Sequence, residues 1–323
     1  MTTNKKTTPM KHLFIMDPIE DINIKKDSTF AIMLAAQKSG DSIYYTEGRN
    51  LFLLDGEVYA KISSIRVMND EKNWFEHVES PREELLETMD IVWMRVDPPF
   101  NMSYIYMTYL LDFAEKKGVR IINRPSSVRD CNEKIFAQWF PTCCPPTLVT
   151  NNIARLENFL LEQSRIIVKP LDGMGGRGIF YLESDDKNKN VILETATKNG
   201  QEFIMAQRFL PEIAAGDKRI TMIDGEPLDY AVARIPSKDD IRGNLAAGGH
   251  AKVVPLTTRD RWLCQQIAPT LKDKGLFWAG VDVIGDYITE INVTSPTCLR
   301  EVEAHTKIPI AELIMARLKH HFC

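Results

Sequence analysis

The chain has 323 residues, 44% hydrophobic and 26% charged, with a formal net charge of −4. That length exceeds one ordinary core and implies two or three domains of a soluble globular protein. The charge balance gives no basic footprint for nucleic acid or an anionic membrane, and no apolar run is long enough to span a bilayer.

Residues 1–11 are rich in Thr and Lys and lack an apolar core segment, so they read as a disordered leader and not as a secretory signal. Leu13 to Met16 is a short strand ended by Asp17-Pro18. Thr29 to Ser39 is helical and stops at Gly40, and Ser42 to Tyr45 is the next strand. Asp90 to Arg95 is a strand, Met102 to Lys117 a helix closed by Gly118, and Val119 to Ile122 a strand. This alternation predicts a parallel α/β sheet over the first part of the chain. Ligands of such sheets bind beyond the carboxyl ends of the strands, where Lys25-Lys26, Arg95 and Asp97 fall. Each of these charges, taken alone, also fits a solvated loop.

Asp130 to Phe140 reads as a helix carrying Lys134, followed by breaks at Pro141 and Pro145-Pro146. Glu157 to Gln163 is a short helix. The strand Arg165 to Pro170 ends with Lys169 and leads into Gly173-Met174-Gly175-Gly176-Arg177-Gly178, then into a strand from Ile179 to Leu182. No Gly-Lys-Ser/Thr is present and no helix follows, so this is neither a P-loop nor a dinucleotide fingerprint. Glycines at this density let backbone N–H groups approach a phosphate, and Lys169 adds a point charge beside them. A plain flexible turn is the alternative.

A strand lies within Gln201 to Leu210. Lys218 to Ile223 and Pro227 to Arg234 form a hairpin across Asp224-Gly225. Its Arg219 and Arg234 could lie at one end and bind carboxylate or phosphate, or could form surface salt bridges. Arg242 to Gly249 is rich in Gly and Ala and reads as a mobile loop. Arg261 to Lys274 is a helix, and Ile310 to His320 closes the chain.

Between those helices, Val281 to Asn292 reads as two short strands around Gly285-Asp286. Glu290 and Asn292 are two apart and share a face. A two-residue loop would pair Asp282 with Thr289. A three-residue loop, Gly285 to Tyr287, sets Asp282 opposite Glu290, and this register is expected because it gathers three hard oxygen donors suited to Mg²⁺. Solvated acids on an edge hairpin are the alternative. The six cysteines, Cys131, Cys143, Cys144, Cys264, Cys298 and Cys323, form no C-x-x-C pair and predict free thiols in a reducing cytoplasm. No serine-nucleophile elbow and no zinc-type His pattern occurs.

The order of these features resembles the ATP-grasp superfamily. The strings MDPI, INIKKDS, MR-x-DPPF, RDCNEK, KPLDGMGG, GDKR, ARIP, RGNLAAGG and EINVTSPTC are similar to the bacterial glutathione synthetase family, from about residue 12 to the C-terminal helix. The resemblance implies mixed α/β and α+β architecture: an N-terminal parallel-sheet domain (12–128), a central lid (129–211) and a C-terminal catalytic domain (212–323), the last two making a two-lobed ATP-grasp fold. It implies ATP contacts at Lys134, Lys169, Gly173, Met174, Gly175, Gly176, Asp217 and the hinge Gln207-Arg208-Phe209-Leu210. It implies substrate contacts at Lys26, Arg95, Arg219, Arg234, Asn244, Gly248 and Gly249, with Arg219, Arg234 and Lys169 in catalysis. Asp282, Glu290 and Asn292 would ligate metal, two Mg²⁺ with Mn²⁺ as a substitute.

The implied reaction joins γ-glutamylcysteine to glycine at the cost of ATP, through an acyl phosphate, in a cytoplasmic homotetramer. His250 departs from the arginine expected in the mobile loop, and no base for the glycine amine is evident. Another ATP-grasp carboxylate–amine ligase, or a nucleotide-binding module without turnover, are the competing readings; the substrate-side strings MR-x-DPPF and RGNLAAGG favour glutathione synthesis.

Overall fold

A computed structural model describes residues 9–237, 243 and 248–322. The chain forms two compact units, one of residues 9–97, 105–127 and 297–322, the other of 98–104 and 128–296.

The first unit starts with β1 (Lys11–Met16), α1 (Ser28–Lys38), β2 (Ser42–Thr46), β3 (Leu51–Leu54), β4 (Glu57–Val67), β5 (Phe75–His77), β6 (Arg82–Leu85) and β7 (Ile91–Arg95). α2 (Met102–Lys116), β8 (Arg120–Ile122) and α3 (Pro125–Asp130) follow. β2, β1, β7 and β8 are parallel in that order, as the alternation predicts. The antiparallel meander β3 to β6 was not foreseen; it extends the sheet beyond β2. β1 and β7 are buried on both faces: Leu13, Phe14, Val92 and Trp93 have no exposed surface. α1 starts where the Asp27 carboxylate accepts from the Phe30 N–H at 2.6 Å.

The second unit contains two sheets. β9 (Thr147–Thr150), α4 (Ile153–Gln163), β10 (Arg165–Pro170), β11 (Phe180–Glu183), α5 (Lys189–Ala196) and β12 (Ile204–Arg208) give a four-stranded antiparallel sheet in the order β11-β10-β12-β9. Leu156, Leu160 and Leu193 of its helices pack on Ile166, Val168 and Leu182. β13 (Asp217–Ile223), β14 (Glu226–Ile235), β15 (His250–Pro255), α6 (Thr258–Asp273), β16 (Trp278–Ile284) and β17 (Tyr287–Asn292) give a five-stranded sheet in the order β15-β14-β13-β16-β17.

α7 (Leu299–Thr306) and α8 (Ile310–Phe322) belong to the first unit, whereas the sequence reading grouped them with 212–323. Ile310, Ile314 and Leu318 of α8 recur at helical spacing and are fully buried. The Leu299 N–H donates to Ser28 Oγ at the start of α1.

Two local expectations are corrected. Lys134 is not on a helix: α3 ends at Asp130, and the Asn132 side chain accepts from the Lys134 and Ile135 N–H groups (3.2 and 3.1 Å), replacing the helical ladder. The β16–β17 turn is two residues long, Gly285-Asp286, with Ile284 paired to Tyr287 and Val283 to Ile288. A bulge at Thr289 then restores the pairing of Asp282 with Glu290. The expected partners meet through a different register.

Candidate active site

The second unit holds a cavity of about 110 Å³, open to solvent, between its two sheets. The four-stranded sheet contributes Lys169, at the end of β10, and the Gly-rich loop after it. Gly175 and Gly176 have φ of 65° and 79°, left-handed values that favour glycine at both positions. Gly173, Met174, Gly175 and Gly176 all line the cavity.

β12 and its continuation, Gln207 to Leu210, form another wall. The Gln207 amide donates to Thr147 Oγ1 at 3.1 Å. The Phe209 ring packs edge-on to Tyr181 and under the Arg165 guanidinium, and Arg208 lies over Tyr287. These side chains are engaged in the protein, and the N–H groups of Arg208 and Phe209 donate to the Pro146 and Arg165 carbonyls, both at 3.0 Å. Pro145, Ile167, Ile179 and Ile284 supply an apolar lining that the sequence reading did not single out.

The opposite wall is electrostatic. Lys134 is 5% exposed; its ammonium contacts Glu290 Oε1 at 2.7 Å and donates to the Gly173 carbonyl at 2.8 Å. Lys169 donates to the Thr289 carbonyl at 3.2 Å, so the bulge residue supplies its acceptor. Burial and the adjacent Lys134 pull the Lys169 ammonium down from its usual range, although Glu290 opposes them. Glu290 is held low, against its burial, by Lys134 and Lys169.

Asp282 faces two guanidinium groups: Arg219 Nη2 at 3.0 Å and Arg234 Nη2 at 2.8 Å. Burial would raise its pKa, but the two arginines outweigh burial and keep it ionised. Arg234 also bonds Asp217. Burial lifts Asp217 to about 6, with Arg234 opposing and Asp282 adding to the rise. Arg219 and Arg234 therefore converge at one end of the β13–β14 hairpin, as one reading of the sequence had it, and both are buried. Gly243 lines the cavity too; a Cβ there would lie 2.5 Å from the Arg234 carbonyl oxygen.

Asp282 and Glu290 are ionised and lie directly across the two strands. Asn292 donates its amide nitrogen to the Gly280 carbonyl at 3.2 Å, which fixes the amide and presents its oxygen as the remaining donor. Two carboxylates and an amide oxygen, with no thiol or imidazole, fit a hard cation. Among the described residues no group of three or more His, Cys, Asp or Glu could hold a metal unaided, so phosphate or water oxygens must complete any such site.

Lys26 and Arg95 lie in the first unit. Arg95 ends β7, is 5% exposed and donates from Nε to Thr29 Oγ1 at 3.0 Å. Burial pushes the Asp27 carboxyl up, opposed by the Phe30 N–H it caps and by Arg95. The Lys26 N–H donates to the Asn23 carbonyl in the turn before α1. Gly248 and Gly249 precede β15; a Cβ on Gly249 would meet the Gly243 carbonyl at 2.6 Å. Asn244 and Arg242 lie outside the described residues.

Comparison with known proteins separates the kinds of ligase. Residues 10–129 match the family model "Prokaryotic glutathione synthetase, N-terminal domain", and residues 133–307 match "Prokaryotic glutathione synthetase, ATP-grasp domain". The chain belongs to the prokaryotic glutathione synthetase family. Glutathione synthetase of Coxiella burnetii is 50% identical over 305 residues, covering 94% of this chain and 95% of the relative. That of Pseudomonas putida is 51% identical over 301 residues, covering 93% and 95%.

Among solved structures, D-cycloserine synthetase DcsG superposes with a TM-score of 0.67 at 12% identity, covering 97% of this chain and all of the other. The macrocyclase MdnC of Microcystis aeruginosa, bound with its precursor peptide, gives 0.60 at 16% identity, covering 96% and 100%. These two share the ATP-grasp fold alone. The family membership makes the chain an ATP-dependent ligase of glutathione biosynthesis.

Proposed function

We propose that this protein joins γ-glutamylcysteine to glycine with ATP converted to ADP and phosphate, and that the cavity of the second unit is where ATP reacts. The observation that carries the reading is the convergence of Lys134, Lys169, the Gly-rich loop and Glu290 on one cavity, with Asp282 paired to Glu290 across the strands.

The cysteinyl carboxylate attacks the γ-phosphorus, giving an acyl phosphate and ADP. The glycine amine then adds to the acyl carbon, and collapse of the tetrahedral adduct expels phosphate as the amine loses its proton. In this reading Lys134 and Lys169 neutralise the oxygens of the transferring group, and the loop amides hold the phosphates in line. Arg219 and Arg234 meet the oxyanion of the adduct, a term that typically contributes about 2.7–4 kcal/mol per donor. Asp217, Gln207 and the backbone of Arg208 to Leu210 hold the nucleoside. Lys26 and Arg95, with Asn244, Gly248 and Gly249, take the dipeptide. Asp282, Glu290 and Asn292 would hold Mg²⁺, two ions with Mn²⁺ able to substitute, and bound metal supplies further charge neutralisation on the phosphates.

Residues 129–211 serve as the lid and 212–296 as the catalytic lobe. The five described cysteines are buried, which suits thiols in a reducing cytoplasm, and no described helix is long and apolar enough to cross a membrane. The assembly is taken as a homotetramer on the family resemblance, testable by light scattering.

The deciding experiment measures phosphate release from ATP and Mg²⁺ with γ-glutamylcysteine, with and without glycine, and identifies the product by mass. Glycine-dependent phosphate with equimolar glutathione supports the reading. Turnover only with another amine or dipeptide discards the substrates and keeps the ligase. Nucleotide binding without turnover leaves a regulatory module.

A further inference from the structure

Asn132, Glu133 and Lys134 are consecutive, and together they grip the Gly-rich loop and the β16–β17 hairpin of the second unit. Asn132 Nδ2 donates to the Leu171 carbonyl at the root of the Gly-rich loop (3.0 Å). Lys134 bridges Gly173 of that loop and Glu290 of β17. Glu133 reaches only the hairpin. Its carbonyl accepts from the Ile291 N–H at 2.9 Å. Its Oε1 accepts from the Val293 N–H (2.8 Å), the Thr294 N–H (3.0 Å) and Thr294 Oγ1 (2.7 Å).

β17 is the edge of the five-stranded sheet, and its last paired residue is Asn292. Just past it, one carboxylate takes the amides of both residue 293 and residue 294. The bonded residues bracket the donor pair: Ile291 lies between Glu290 and Asn292, and Val293 follows Asn292.

We propose that Glu133 is a positioning residue of the ligase site, fastening the carboxylate hairpin to the segment that carries Lys134, so that loop, phosphate lysine and hairpin share one register. Asn132 fastens the loop side of the same segment. The inference rests on the ligase reading above, and it assigns the division of labour within that site: Glu133 serves the hairpin, Asn132 the loop. A capping role confined to stability is the rival, and it would leave kinetics per folded molecule unchanged.

The test compares Glu133→Ala, Glu133→Gln and Asn132→Ala in the full chain. Glu133→Ala should lower kcat about 10²-fold, the cost of an ångström-scale misplacement. It should also raise the Mg²⁺ half-saturation at least about tenfold, as loss of a group behind metal ligands does. The KM for the dipeptide should not move, and the amides of Ile291, Val293 and Thr294 should exchange hydrogen faster while β16 is unchanged. Glu133→Gln keeps Oε1 and should recover most of kcat. Asn132→Ala should raise the KM for ATP and leave the Mg²⁺ half-saturation alone.

Wild-type kinetics in Glu133→Ala, or a Glu133→Gln enzyme no better than it, would overturn the assignment. If Glu133→Ala fails to fold, Thr294→Val, which removes one of the donors to Oε1, must raise the Mg²⁺ half-saturation a few-fold, and an unchanged value overturns the idea. If the wild-type chain does not make glutathione, Mn²⁺–ADP titration replaces turnover. The same ranking of variants would then keep the fastening and discard the substrate assignment, whereas equal affinities would discard the fastening.

Discussion

Glu290 stands among three charged groups: Lys134 touches it, Lys169 holds it ionised, and Asp282 faces it across the strands. Glu290→Ala should therefore remove one candidate metal ligand and leave a buried ammonium without its carboxylate. We expect kcat to fall at least about 10³-fold, since charge neutralisation of this kind supplies several kcal/mol. Activity within tenfold of wild type would sink the metal assignment. Lys169 is a different case. Its ammonium contacts a carbonyl of the bulge, and burial works against its charge, so it is poised for an anionic partner. Lys169→Ala should raise the KM for ATP about tenfold and lower kcat as well, the loss of roughly one charged hydrogen bond. An unchanged ATP dependence would show that the Gly-rich loop does not cover phosphates.

At the level of elements, the buried end of β1 gives a stability prediction with a defined sign. Asp41 accepts from the Met10 N–H at 3.1 Å and Ser39 Oγ at 2.8 Å, and faces His12 and Lys319 at 3.4 and 3.1 Å. Burial raises its pKa, but His12, Met10, Ser39 and Lys319 together drive it well below the ordinary carboxylate range. A depressed folded pKa means stability that is fully present above the unfolded value near 3.8 and lost as pH falls through the folded one. Asp41→Asn should cost about 1–3 kcal/mol at pH 7. The gap to wild type should narrow on acidification below pH 4. Denaturant melts at both pH values check it, and a gap independent of pH would show that packing, not ionisation, is at stake.

Elements were legible in the sequence where a repeating pattern marked them. β1, α1, β7 and α2 were read from runs of apolar residues, and the Asp224-Gly225 hairpin from its turn residues. The β3 to β6 meander was missed although β3 and the 11-residue β4 turn on Asp55-Gly56, the same dipeptide; only β5 and β6 are short and partly exposed, with no such turn to mark them. The bulge at Thr289 is one residue inserted into an otherwise regular alternation, and only the pairing exposes it. Lys134 looked helical because nothing in its neighbours announces that the Asn132 side chain takes the backbone N–H groups. The partners of Glu133 lie about 160 residues away, beyond any local pattern.

At the scale of the whole molecule, nucleotide should protect the two units unequally. With Mg²⁺ and an unhydrolysable ATP analogue at a hundred times its Kd, the second unit gains about 2.7 kcal/mol by linkage. Its amides should slow in hydrogen exchange while those of β1 and β7 change little, and chelation of the metal should remove most of the effect. Uniform protection of both units would contradict it.

The path of the chain has a further consequence. The first unit is opened by β1 and α1 but completed by α7 and α8, with bonds such as Leu299 to Ser28 and Lys38 to Glu312 joining residues about 270 positions apart. On the ribosome, the N-terminal sheet must wait through synthesis of the entire second unit before the helices that cover α1 arrive. The second unit, contiguous apart from residues 98–104, is under no such constraint. A nascent chain halted after residue 296 should therefore already bind nucleotide while the face of α1 stays open to proteolysis and to holding chaperones. The protein is thus born with its energy-transducing half ready and its other half provisional, and quality control acts on the last 27 residues more than on the first hundred.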